Sequence, residues 1–107
     1  MPDVFDAVAD TTRRQILERL RTGDLLSLTE LAEPLPMSRQ AVTKHLRILE
    51  DSGLIERVWR GRERLHRLKA APLRELDDWL APYATAWDQR LDRLRRHLKE
   101  DLDDEND

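Results

Sequence analysis

Four side chains at positions 40, 43, 44 and 47 carry an amide, a hydroxyl, an ammonium and a guanidinium: Gln40, Thr43, Lys44 and Arg47. Groups of these kinds hydrogen-bond base edges and phosphate oxygens. At about 100° per residue, the segment from Ser38 to Leu49 places them on one helical stripe and Val42, Leu46 and Leu49 on the opposite one. One face packs and the other suits a polyanion. An ordinary solvated helix face has the same look, so the flanking sequence must decide between the two.

The elements around that stripe are legible. Ser38 is a natural N-cap, and Gly53 stands at the C′ position that favours left-handed backbone, so a helix is predicted over 38–52. Ahead of it, a short helix from Thr29, capped by its own hydroxyl, turns Leu31, Ala32 and Leu35 inward until Pro34 and Pro36 stop it. The pair forms a helix-turn-helix. Two earlier helices are predicted: one carrying Val4, Phe5, Val8 and Ala9, and one starting after a cap at Asp10-Thr11 and closed by Gly23. After Gly53, two strand-like runs joined through Arg60-Gly61-Arg62 form a basic β-hairpin over 54–68.

A last helix opens with Pro72 at its first position and repeats apolar residues at intervals of three and four: Leu73, Leu76, Leu80, Tyr83, Trp87, Leu91, Leu94 and Leu98. Pro82 predicts a kink or break in it. The seam exceeds what a core this small can cover, so Phe5, Leu76, Leu80, Tyr83, Trp87, Leu91 and Leu94 are read as a homodimer interface; an intramolecular core is the alternative. Trp79, Tyr83 and Trp87 fit a core or dimer seam better than a small-molecule pocket, though the cluster leaves room for an unidentified effector.

Charge is unevenly spread. The 107 residues sum to a formal −3, but residues 100–107 hold six of the 22 acids; the 19 Lys and Arg against the remaining 16 acids leave +3. From Arg57 to Lys69 the chain carries six basic residues, Arg57, Arg60, Arg62, Arg64, Arg67 and Lys69, against the single acid Glu63. We therefore expect one domain over 1–99, mainly α with a small β-hairpin, and an acidic disordered tail over 100–107. No run approaches the roughly 20 apolar residues of a bilayer span, and neither a leader nor a disulfide framework is visible, so the expected compartment is the cytoplasm. The chain has no cysteine, clustered histidine, Gly-rich phosphate loop or Ser-His-Asp arrangement, so neither an enzyme nor a cofactor is expected.

The runs Phe5–Asp10, Thr12–Leu17, Glu30-Leu31-Ala32, Met37–Arg47 and Gly53-Leu54-Ile55 together resemble the ArsR-type winged helix-turn-helix regulators, over roughly residues 3 to 99. Thr11 stands where that family commonly has proline, and Pro36 where many members have glycine. The resemblance implies a homodimeric bacterial transcription regulator, usually a repressor, with recognition helices in successive major grooves and wings on the flanking backbone or minor groove. The family's metal-responsive members carry a cysteine pair on the third helix, where this chain reads Leu28–Glu33; of the histidines used on the last helix it has only His97. No metal site is expected. Asp88, Asp92 and His97 are more simply read as surface charges.

On this reading Gln40 and Thr43 meet base edges, while Arg39, Lys44 and Arg47 divide between bases and phosphates. Arg60, Arg62 and Arg64 serve the wing, and Ser38 and Thr29 offer helix N-terminal amides to phosphate. His45 and His66 are read as structural. The expected partners are double-stranded DNA and a second copy of the chain. The competing reading is a winged-helix protein-interaction module without specific DNA binding.

Overall fold

The computed structural model describes the backbone of residues 2–105 and the side chains of residues 2–97. Each early helix begins where a short polar side chain replaces a missing backbone partner. Asp3 and Asp6 form a reciprocal capping box at the start of α1 (Val4–Val8), and the Asp10 carboxylate accepts the Arg13 N–H at 3.0 Å to start α2 (Thr11–Leu20). Helix α3 (Leu28–Ala32) is capped by Ser27, not by Thr29 as expected: the Ser27 hydroxyl accepts from the Glu30 N–H and the Glu30 carboxylate from the Ser27 N–H, each at 3.2 Å. The two-way box outcompetes a lone hydroxyl, and Thr29 sits one residue inside the helix.

Ser38 caps α4 (Arg39–Asp51), its Oγ accepting the Ala41 N–H at 3.1 Å. Gly53 ends it with φ +80°; the Leu54 N–H reaches the Leu49 carbonyl and the Gly53 N–H the Glu50 carbonyl, both at 3.0 Å. That pair of bonds is the Schellman arrangement. A Cβ at Gly53 would lie in ordinary contact with Pro72, so the left-handed backbone is what selects glycine. Gly53→Ala is accordingly expected to lower the unfolding free energy by about 1–2 kcal/mol, with Gly53→Asn intermediate. The check is a urea midpoint that falls at unchanged m-value.

Strands β2 (Ile55–Arg60) and β3 (Glu63–Leu68) pair antiparallel from Ile55↔Leu68 to Arg60↔Glu63. The connecting turn is the two residues Gly61 and Arg62, one shorter than expected, with Gly61 at φ +63°. A third strand not expected from sequence, β1 (Leu26–Ser27), pairs with the other edge of β3 and gives the order β1-β3-β2. Ile16, Leu20, Leu31, Val42, Leu49 and Leu54 are the largest fully buried side chains, so α2, α3, α4 and the start of β2 share one core.

Helix α5 (Leu73–Glu105) starts one residue later than expected, with Pro72 accepting the Glu75 N–H. It is one element through Pro82, so of the kink or break expected there the break does not occur. Pro82 lacks the N–H that would bond the Asp78 carbonyl, but both residues are exposed and water can serve that carbonyl. The backbone is helical to Glu105, well into the stretch expected to be a disordered tail; Asn106, Asp107 and the side chains from Leu98 onward lie outside the described residues. The chain divides into two units, Met1–Leu76 and Asp77–Asp107. In the second, Trp79, Leu80, Tyr83, Trp87 and Leu94 are exposed, with Trp79 and Tyr83 rings 5.3 Å apart.

Candidate nucleic-acid interface

Burial of Val42, Leu46 and Leu49 fixes the rotation of α4 and leaves Arg39, Gln40, Thr43, Lys44 and Arg47 exposed together. They are not equally available. Arg39 donates from Nη2 to the Thr29 hydroxyl at 2.7 Å, so it ties α4 to α3 and engages Thr29, which was expected to face phosphate. Thr43 donates its hydroxyl to the Arg39 carbonyl at 2.9 Å, leaving oxygen lone pairs and a methyl group for any ligand. Gln40, Lys44 and Arg47 make no side-chain hydrogen bond or ion pair among the described residues.

His45 lies off this stripe. Its Nδ1 is 3.2 Å from Arg13 Nη1 and 3.8 Å from the Asp10 carboxylate, while Arg13 also donates to the Ala7 and Asp6 carbonyls at 2.8 and 3.0 Å. These bonds tie α4 to the α1–α2 junction, so His45 is structural through side chains, with no backbone bond. The Arg13 backbone N–H holds the Asp10 carboxyl below its ordinary range; burial opposes it, and the neighbouring His45 and Arg13 side chains add to the lowering. The unfolded chain titrates normally, so this stabilisation is complete above about pH 4 and is lost as pH falls through the lower folded value. Asp10→Asn is expected to flatten the loss of stability below about pH 4. Parallel urea titrations at pH 6 and pH 3, with Asp24→Asn as the control, measure it.

In the hairpin, alternation sorts the basic residues by face. The opposed pairs Trp59↔Arg64 and Arg57↔His66 share one face; Arg60↔Glu63 and Glu56↔Arg67 share the other. Glu56 takes Arg67 in a charge-assisted hydrogen bond and lies 3.9 Å from Lys69. Arg67 holds the Glu56 carboxyl below its usual range. Arg57 Nε lies 3.3 Å from Glu50 of α4. The arginines without an acidic partner among the described residues are then Arg60, Arg62 and Arg64, the three assigned to the wing. The hairpin does not group all three: Arg62 and Arg64 line a cleft of about 440 Å³ with Thr43 and Arg47 of α4, and Arg60 is on the far face.

Two side chains of this cleft escape sequence reasoning. Trp59 is 62% exposed with the Arg64 guanidinium 5.1 Å from its ring centre, and Arg57 faces α4. An aromatic flanked by arginines in a strand was the available signal for the first. His66, 4% exposed, donates from Nδ1 to the Leu26 carbonyl at 3.0 Å, which makes it structural as expected. Of the residues assigned to a dimer seam, Phe5 and Leu76 are half-buried against the core of the first unit, Leu91 is half-buried, and Leu80, Tyr83, Trp87 and Leu94 are exposed.

A helix-turn-helix domain family model matches residues 8–58. The HTH-type transcriptional regulator Rv2034 of Mycobacterium tuberculosis is 38% identical over 96 residues, covering 85% of this chain and 89% of that protein. The solved structure of an ArsR-like transcriptional regulator from Rhodococcus sp. RHA1 superposes with a TM-score of 0.68 at 39% identity, over 91% of this chain and 88% of that one. The chain belongs to the ArsR family. The transcriptional repressor SdpR of Bacillus subtilis is 30% identical over 91 residues, 85% of this chain and all of that protein. As an ArsR-family member this chain is a DNA-binding transcriptional regulator of winged helix-turn-helix fold, in which β2–β3 form the wing. Among the described residues, this ArsR-family chain holds no group of three His, Cys, Asp or Glu that could bind a metal ion, and no helix long and apolar enough to cross a membrane.

Proposed function

We propose that the protein is a homodimeric cytoplasmic repressor that binds an inverted-repeat operator. Gln40 and Thr43 meet base edges, Arg39, Lys44 and Arg47 divide between bases and phosphates, and Arg62 and Arg64 hold the flanking backbone or minor groove. The observation that carries this reading is the cationic stripe of α4 continued across the cleft onto the wing, where Arg47, Arg62 and Arg64 have no acidic partner among the described residues. Ser38, as the cap of α4, brings the helix N-terminal amides toward a phosphate and fixes register.

A second copy is favoured by α5. Trp79, Tyr83 and Trp87 are 55–63% exposed on one side of that helix, more apolar surface than a lone chain leaves in water. Symmetry then places two recognition helices about one DNA turn apart. SdpR, similar over its whole length, is named a repressor, which favours repression over activation.

Selection of the purified protein against random duplex DNA, with sedimentation equilibrium on the same sample, tests the reading. Enrichment of an inverted repeat by a dimer is expected. Absence of enrichment at low salt would move the assignment to a protein-interaction module.

A further inference from the structure

The cleft between α4 and the wing has features that a phosphodiester strand does not use. Its floor includes Leu46 and His66, both 4% exposed; the first offers only carbon, and the second spends its Nδ1 proton on the Leu26 carbonyl. One wall is the Trp59 indole, held beside the Arg64 guanidinium. A ring inserted there gains apolar contact with Leu46 and stacking with the indole, whereas a hydrated sugar-phosphate chain gains little from either.

The rim supplies the opposite chemistry. Four arginines, at 47, 57, 62 and 64, meet one acid, Glu50, and that acid is already engaged by Arg57 at 3.3 Å and faces His66 at 3.9 Å. Arg47, Arg62 and Arg64 keep their donors for a ligand. Guanidinium forks hold a carboxylate in a bidentate fashion and lie flat on aromatic rings. A volume of about 440 Å³ is at the small end of ligand sites, which suits one or two fused rings.

We propose that this cleft binds a small planar aromatic carboxylate, and that its occupancy displaces DNA because Arg47 and Arg62 cannot serve both. The displacement rests on the DNA-binding assignment above; the binding does not.

Titration of the full ¹⁵N-labelled chain with 2-naphthoate at constant ionic strength tests the site. Saturable shifts confined to α4 and the wing are expected, with at least tenfold weaker binding of 2-naphthylmethanol, which lacks the charge, and of cyclohexanecarboxylate, which lacks the ring. Trp59→Ala and Arg62→Gln, both at exposed positions, should each weaken 2-naphthoate severalfold while amide dispersion is unchanged. Shifts centred on Trp79 and Trp87, equal binding of either comparator, or no saturation because the cleft serves only a DNA strand would overturn the site. Full retention of a selected duplex at saturating naphthoate would overturn the displacement. If the chain bound no duplex, the operator reading would fail while the titration still decided the cleft.

Discussion

Trp87→Glu is expected to turn the dimer into a monomer and to cost about 10²–10⁴ in apparent operator affinity, the gain that a second linked half-site provides. Trp87 is 59% exposed in a single chain, so the charge does not disturb that chain's core. In a dimer seam the carboxylate would be set among apolar side chains such as Tyr83 and Leu91 of α5 or their copies, and a buried charge without full pairing costs several kcal/mol. Gln89→Glu adds the same charge about 200° around the helix and should leave both properties unchanged. Sedimentation equilibrium and fluorescence anisotropy on a selected duplex read the two effects. A monomeric variant with unaltered operator affinity would remove the dimer from the mechanism, and an intact dimer would move the seam elsewhere.

Gln40→Ala and Arg62→Ala should fail in different ways. Gln40 is exposed on α4 with its amide free of side-chain partners among the described residues, and an amide distinguishes bases by pairing with their edges. Its loss should relax preference at one position of each half-site, a discrimination of about 1–3 kcal/mol. Arg62, in the hairpin turn, has no acidic partner among the described residues. Its loss should weaken all sequences alike and reduce the slope of log K against log salt by about 1 per protomer. Repeating the duplex selection with each variant at two salt concentrations separates the outcomes. Identical effects would overturn this division between reader and clamp.

How far the sequence could carry this site depends on the range of the interactions concerned. The α4 stripe and its buried back are legible because helical period and the Ser38 and Gly53 caps are local signals. The Ser27 cap was legible too, as Ser-x-x-Glu up to Glu30, but the Thr29 hydroxyl drew the assignment two residues inward. Strand β1 was not: two residues carry no alternation, and only pairing with β3 some forty positions later makes Leu26 a strand and a partner for His66. The same long-range register separates Arg60 from Arg64, a distinction that charge clustering along the chain cannot make. Pro82 shows the reverse case, where a dependable local rule yields because the orphaned carbonyl is exposed to water.

The strand order β1-β3-β2 also bears on how copies of this chain avoid one another. One edge of the sheet is only two residues long and runs directly into α3. The other is β2, which carries Glu56, Arg57 and Arg60 along its six residues. Neither edge offers a long uncharged template for a further strand, so ribbon-like growth between molecules is opposed at both. Self-association is thereby left to helical surfaces, and a concentrated solution of the protein should stay free of fibrils even while α5 exposes its aromatic rings.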